Sequence, residues 1–389
     1  MRAELNSISG PETVHGTAIP AGVDDRSTRA GALSVRHYVA GGREHGGGIG
    51  RMAGYIVDSF GKDGIVHVVT DTRGPRWFPL TSLPRLAFAI LLMTRDRVVS
   101  PRRVHHIHVA GRGSTVRKRI LTAAARRLGC RHLVHLHDYD YAADFNARSA
   151  ADQAAVLPMF KKADHVVALG RRDHQTLTTV LGVDQRRVSV LPNCVPDPGG
   201  PRLRDNDETR IVFLGRLSER KGVPELLRAL SHPTMMQLRW RAVLAGDGPV
   251  DEYRRQAREL GIADRVEMPG WLGPDETRAL CARADILTLP SHAEGLAMAV
   301  VEGLAHGLAI VTTRVGAHEE VITDGSSGLF VPPGDVDALA SALARLVSEP
   351  ETRRALSMQA RAAYLAQFSM ASYRRSLERI YETVTNGTR

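Results

Sequence analysis

The chain has 389 residues, of which 43% are hydrophobic and 24% charged, with few aromatics and a net charge of +10. That length suffices for two ordinary domains, each with its own core. No stretch approaches the roughly 18 apolar residues of a membrane span, the longest being LAFAILLM at 86–93, and three cysteines without CxxC spacing suit a reducing cytoplasm.

The charge is uneven. Residues 1–200 hold 28 Lys and Arg against 17 Asp and Glu, whereas residues 201–389 hold 24 against 25. The segment from Arg95 to Arg131 alone has eleven basic residues and one acidic residue, Asp96. Such a cluster suits a solvated face, or a surface that meets anionic lipid headgroups or a phosphate-bearing substrate. Nucleic acid fits poorly, because the segment has almost no aromatic side chains on which bases could stack.

Residues 1–30 are polar, rich in Gly, Pro and Ser, and lack an apolar signal core, so they read as a disordered extension. From residue 31 short apolar strands alternate with amphipathic helices. The strand ALSVRHYVA, the loop GGREHGGGIG, the helix RMAGYIVDSFG and the strand IVHVVTD come first. A basic helix around 80–98, the strand RVHHIHVA, a helix over 114–128 and the strand HLVHLH follow, and ADHVVALG and VSVLPN complete a domain over 31–195. A Pro- and Gly-rich linker is expected at 196–208. The alternation then restarts and predicts a second domain over 209–365, with a final helix over 366–389 that Ser369 can cap. Alternating strands and helices predict an α/β fold, with two doubly wound parallel sheets facing a central cleft. Ligands bind such sheets at the strand C-termini and helix N-termini.

Polar residues of the second domain gather at strand ends. FLGRLSERKG ends a strand with Gly215 and Arg216, and Lys221 follows; two cations pointing into the cleft suit a diphosphate. LAGDGP supplies Gly246 and Gly248, where backbone must approach something closely. Glu294 and Glu302 then stand eight residues apart in a mostly apolar run, a spacing that would return both to one helical face about 12 Å apart. Both carboxylates can accept hydrogen bonds from sugar and ribose hydroxyls, and the helix opened by GLAM can hold a phosphate at its N-terminus.

These motifs, in this order, resemble family 4 of the retaining glycosyltransferases, which have the GT-B fold. The resemblance covers about residues 31–389 and is strongest over 209–335. It implies that Arg216 and Lys221 bind the donor diphosphate, and that Glu294 with the amides of Gly295, Leu296 and Ala297 holds the donor sugar. It also implies that Glu302 holds the ribose. GGREHGGGIG, with Gly50, resembles the family's glycine-rich loop near the acceptor and donor phosphate. HLHDYD resembles the strand-end histidine segment, making His137 the candidate that lines the reacting centre. Departures fall at Ala297, Gly303 and Leu308, where members often have Pro or Gly, Ala, and Pro.

DTRGP, HIHVAGRGS and HLHDYD resemble the branch found in bacterial exopolysaccharide clusters. They make Arg73, Arg112, His137 and Asp138 the acceptor-side candidates. The implied reaction moves a sugar from a UDP- or GDP-linked donor to a glycan or lipid-linked acceptor, with no metal or other cofactor. The implied site of action is the inner face of the cytoplasmic membrane, with peripheral attachment to an anionic surface. Two alternatives stand beside it. One is a catalytically silent sugar-nucleotide-binding partner of another transferase. The other is an NAD(P)-dependent oxidoreductase, since GIGRMA fits G-x-G-x-x-A after a strand and Asp71 ends the next strand.

Overall fold

A computed structural model describes residues 33–61, 64–138, 140–199 and 208–386. The expected N-terminal extension and most of the expected linker lie outside the described residues. Twelve strands form two six-stranded sheets. The first contains β1 (Ser34–Val39), β2 (Val66–Asp71), β3 (Val104–Val109), β4 (His132–Leu136), β5 (His165–Ala168) and β6 (Val188–Val190), in the order β2-β1-β3-β4-β5-β6. The second contains β7 (Thr209–Leu214), β8 (Trp240–Ala245), β9 (Val266–Gly270), β10 (Ile286–Leu289), β11 (Ala309–Thr313) and β12 (Leu329–Val331), in the order β12-β11-β10-β7-β8-β9. Every pairing within both sheets is parallel.

Parallel strands are covered on both faces and so are buried along their length. β1, β3, β4, β10 and β11 are buried at every residue. In the second sheet the buried residues are mostly apolar. In the first sheet β3 and β4 read VHHIHV and HLVHL, so imidazoles occupy positions that Val, Ile and Leu would normally fill.

The helices α1 (Gly47–Phe60), α2 (Pro79–Val99) and α3 (Gly111–Arg127) follow β1, β2 and β3. Pro79 stands in the first turn of α2, where its missing N–H costs nothing. The last helix, Met370–Asn386, is capped by Ser369, whose hydroxyl accepts from the Ser372 N–H at 3.3 Å. It returns to the first sheet, where Arg374 donates to the Ser59 carbonyl at 2.7 Å and the Tyr381 hydroxyl lies 2.9 Å from His106 Nδ1. No described helix is long and apolar enough to cross a membrane.

The strand order reverses between β1 and β3 in one sheet and between β7 and β10 in the other. At such reversals the connections leave in opposite directions and open a crevice beyond the strand ends. The loops at these four strand ends carry Gly41–Gly50, Gly111–Arg112, Gly215–Arg216 and Ser291–Ala297.

Candidate active site

The glycine loop after β1 is tied down by Asp71 at the end of β2. Its carboxylate accepts from the N–H groups of Gly41, Arg73 and Gly74 at 2.8–3.0 Å. This corrects the dinucleotide-binding alternative. Asp71 is spent inside its own loop rather than offered to a ribose, and α1 starts only at Gly47. Gly50 is required by packing, because a Cβ there would collide with the Gly42 carbonyl. Arg73 straps the same loop, donating to the carbonyls of Gly74, Pro75 and His45.

At the end of β3, Gly111 packs so closely on the Asp138 carboxylate that a side chain would overlap it. Arg112 follows with φ 47°, the one positive value at a non-glycine among the described residues. Residues held there cluster at functional sites, since the surroundings must enforce the conformation. Asp138 is buried and accepts from the Asp140 N–H at 2.8 Å; burial raises its pKa. His137 is only partly buried, and its Nε2 lies 2.9 Å from His108 Nδ1.

In the second sheet, the loops after β7 and β8 lock together. Leu217 N–H donates to the Asp247 carbonyl at 2.7 Å, and a Cβ at Gly246 or Gly248 would strike the Gly215 or Leu217 carbonyl. The close approach expected of these glycines is therefore loop on loop. Arg216 is largely exposed and turned toward Asp247 at 3.3 Å. Lys221 is the cation that enters: its Nζ lies 2.5 Å from Glu294 Oε1, with only 12% of its side chain exposed.

Glu294 lies in the loop before the helix Met298–His306, so it does not share a helix with Glu302. This corrects the expectation of two carboxylates on one helical face. The loop is pinned from several directions. Arg220 donates to the Ala293 carbonyl and approaches Glu294 at 3.4 Å, Asn193 donates to the Leu296 carbonyl at 2.8 Å, and Ala317 N–H donates to the Gly295 carbonyl at 2.7 Å. Gly295 sits against the Asp138 carbonyl, and Gly48 faces the Met298 side chain, each within 3.4 Å of a would-be Cβ. The structure thus joins the two halves where Asp138 meets Gly295 and Gly48 meets Met298, with Lys221 paired to Glu294 on one side of this junction, while Arg73 and Arg216 are engaged in their own loops.

The two glutamates differ electrostatically. Burial pushes the Glu294 carboxyl up, but Lys221 and Arg220 outweigh it and hold its pKa below the ordinary value. Burial raises Glu302 more than Arg51 and Tyr55 lower it, so its pKa ends above the ordinary value. Arg51 of α1 reaches Glu302 Oε1 at 2.6 Å, while Glu302 Oε2 is buried without a partner. Sequence reading missed Arg51 and Arg220. Each adjoins a residue it did identify (Gly50 and Lys221), but their partners are 251 and 74 residues away. A cavity of about 570 Å³ opens beside the junction, lined by Asp140, Arg171 and Arg172 from one half and by His292, Arg314 and Glu320 from the other.

Two facing parallel α/β sheets with a charged junction at their strand ends define the GT-B fold. Residues 46–197 match the family described as Glycosyltransferase Family 4, and residues 201–363 match that described as Glycosyl transferases group 1. One match falls on each half of the chain. The chain is 33% identical over 201 residues to an exopolysaccharide phosphotransferase of Streptomyces coelicolor, covering 51% of this chain and 21% of that protein. It is 28% identical over 275 residues to the GDP-mannose-dependent alpha-(1-6)-phosphatidylinositol monomannoside mannosyltransferase of Mycolicibacterium smegmatis, covering 65% and 70%. It is 32% identical over 164 residues to the lipopolysaccharide core biosynthesis glycosyltransferase LpsE of Rhizobium meliloti, covering 42% and 46%. The chain spans about a fifth of the first protein's length and under half of the third's. Its fold is similar to sucrose-phosphate synthase from Thermosynechococcus elongatus (TM-score 0.74, 17% identity, 92% of this chain and 100% of that). It is also similar to Anabaena HepE in complex with UDP (TM-score 0.68, 18% identity, 90% and 100%).

Proposed function

We propose that the chain transfers a sugar from a UDP- or GDP-linked donor to an acceptor hydroxyl, with retention of anomeric configuration. The observation that carries this reading is the buried Lys221–Glu294 pair at the strand reversal between β7 and β10. There a cation stands ready for a diphosphate, beside a carboxylate ready for sugar hydroxyls. In the reaction the bond from the anomeric carbon to the diphosphate oxygen breaks and the acceptor oxygen bonds to that carbon on the same face. The acceptor proton passes to the departing phosphate. Lys221, Arg216 and the N-terminus of the helix Met298–His306 stabilise the charge that develops on the leaving group, the effect that dominates such steps. Glu294 and the amides of Gly295, Leu296 and Ala297 orient the sugar. Glu302 Oε2 accepts from a ribose hydroxyl, and His137 lines the reacting centre opposite.

These cations take the part that a divalent metal plays elsewhere, so the transfer needs none. The choice of UDP or GDP is left open by relatives: HepE binds UDP, and the M. smegmatis enzyme is named for GDP-mannose. The same relative's lipid acceptor, and the cell-surface products named for the other two, support a lipid-linked or growing envelope glycan as acceptor. Arg112 and Asp138 flank its approach.

A lipid acceptor places the enzyme at the inner face of the cytoplasmic membrane, and α2 supplies the surface for it. Trp77, Phe78, Leu80, Leu83, Phe88 and Leu91 are each at least half exposed, beside Val116 and Ile120 of α3. The basic contribution is smaller than the sequence count implies. Arg103 is buried against Asp96, Arg117 lies beneath Trp77, and Lys118 donates to the Tyr38 carbonyl and Thr72 hydroxyl with no exposed surface. Arg97, Arg102 and Arg127 remain on the outside, with Arg119 half-buried.

The test is release of nucleoside diphosphate from panels of UDP- and GDP-sugars in the presence of envelope acceptors, with and without EDTA. Turnover of one donor class that EDTA does not lower supports the reading. Strict dependence on Mn²⁺ or Mg²⁺ would contradict it, and binding without turnover of any donor would return the chain to a silent partner.

A further inference from the structure

One face of the first sheet is lined with imidazoles. Side chains two apart on a strand share a face, which sets His106 beside His108 on β3, and His135 beside His137 at the end of β4. Register aligns His37 with His106 and His108 with His135. Neighbouring rings on this face lie 4.0–5.5 Å apart.

The rings bond to one another in two rows. In the first, His67 Nδ1 meets His37 Nε2 at 2.8 Å, His37 Nδ1 meets His108 Nε2 at 3.0 Å, and His108 Nδ1 meets His137 Nε2 at 2.9 Å. In the second, the Tyr381 hydroxyl meets His106 Nδ1 at 2.9 Å, and His106 Nε2 meets His135 Nδ1 at 3.2 Å. The second row ends on His135 Nε2, which is fully buried and has no partner. Unpaired buried polar atoms are rare and costly, and this one lies where the two rows converge.

We propose that His108, His135 and His137 form a transition-metal site, suited to Zn²⁺, in the wall of the cleft. One ring nitrogen from each residue lies within 4.8 Å of the others. Three imidazoles about 2.0–2.1 Å from a tetrahedral Zn²⁺ have nitrogens roughly 3.3 Å apart. His108 Nδ1 and His137 Nε2 need to open by only a few tenths of an ångström, and the orphaned His135 Nε2 becomes the third ligand. The fourth position faces the cleft, because His137 is only partly buried. A second grouping, His37, His106 and His108, is fully enclosed and offers no unpaired nitrogen.

The rest of the face is ordered to support that site. With the metal on His108 Nδ1, the N–H at Nε2 donates to His37, and that of His37 donates to His67. With the metal on His135 Nε2, the N–H at Nδ1 donates to His106, and that of His106 donates to the Tyr381 oxygen. Every ring then carries one N–H pointing away from the metal, and the first row ends on the His67 N–H at Nε2, which has no partner among the described residues. Such outward bonds fix the tautomer and orientation of ligating imidazoles. A loaded site also takes the His137 ring out of the cleft, so the metal inhibits transfer. That consequence rests on the function proposed above, whereas binding itself does not.

The test starts from chelator-treated protein titrated with Co²⁺, followed by its visible absorption, and with Zn²⁺, followed by calorimetry. We expect one equivalent per chain and a Co²⁺ band of four-coordinate intensity. His135→Leu should weaken binding at least about 100-fold while leaving metal-free transfer unchanged. His108→Gln repeats the test should His135→Leu fold poorly, and His232→Ala, on a half-buried histidine of the second domain, should bind as wild type does. Absence of the Co²⁺ band, or equal affinity in wild type and both site variants, would overturn the site and leave the transfer reading standing. Stoichiometric binding without inhibition would uphold the site and remove His137 from the reaction.

Discussion

Arg51 on α1 and Glu302 on the helix Met298–His306 form a 2.6 Å ion pair that ties the first sheet's layer to the second's. The carboxylate is almost fully buried and the guanidinium about a quarter exposed. Removing one partner of such a pair leaves a charge that has lost its solvent and its counter-ion. Arg51→Ala should therefore destabilise the protein by about 1–3 kcal/mol, discounted for its partial exposure. Adding Glu302→Gln should recover part of that loss. Urea unfolding of both single variants and the double variant measures the coupling, and strictly additive effects would show that the pair bears no weight.

Lys221 and Glu294 are paired in the same way, but at the proposed leaving group. Lys221→Ala and Glu294→Gln should each lower kcat by roughly 10² to 10³. Because the pair is buried, each should also lower the melting temperature, so rates need to be measured where circular dichroism shows a native fold. Folded variants with near wild-type turnover would remove these residues from the chemistry.

The sheet of histidines makes the fold sensitive to acid. Burial lowers His37 and His137 to about 3 and His67 to about 2, and drives His106, His108 and His135 well below the ordinary imidazole range. Each folded pKa is depressed below its unfolded value near 6.5. The unfolded chain therefore takes up protons first as pH falls, and stability present above about 6.5 is lost toward 3. Each such histidine costs up to about 1.4 kcal/mol per pH unit across that window. Against a total stability of about 5–15 kcal/mol, these six should bring a steep unfolding transition between about pH 5 and 6. A protein still folded at pH 4 by near-ultraviolet circular dichroism would contradict the burial described.

Much of this was legible in the sequence, and the failures have physical causes. Short apolar runs and intervening helical stretches give both sheets, because parallel strands must be buried on both faces. The eight-residue spacing of Glu294 and Glu302 suggests a shared helical face, yet the chain must first turn out of β10 and around Gly316 before the helix begins. Gly246 and Gly248 announced a close approach without naming its partner, which is the neighbouring loop. The partners of Arg51 and Lys118 lie far along the chain, so pairing and burial there depend on tertiary contacts that charge counting does not see. The histidines show their alternation in VHHIHV and HLVHLH, but only strand register shows which rings meet.

Membrane attachment should rest on the exposed face of α2 and the arginines beside it. Liposome co-sedimentation should show binding to anionic vesicles that weakens steeply with salt, as screened charges require. Arg97, Arg119 and Arg127 changed to Glu, or Leu83 and Leu91 changed to Asp, should reduce it far more than Arg254, Arg255 and Arg258 changed to Glu. The substitutions that Arg117 and Lys118 invite on charge alone would test folding instead, since both are buried. Equal pelleting with neutral vesicles, or none with anionic ones, would make a soluble acceptor the better reading.

The central claim is that the junction around Lys221 and Glu294 holds a nucleoside diphosphate sugar. It is tested most directly by melting the protein in a panel of UDP- and GDP-sugars, because a ligand bound only by the folded state raises stability by mass action, about 2.7 kcal/mol at a hundredfold excess over Kd. The account predicts that one nucleotide class raises the melting temperature by several degrees and that Lys221→Ala abolishes the shift. No shift with any nucleotide sugar, or the same shift in the variant, would contradict it.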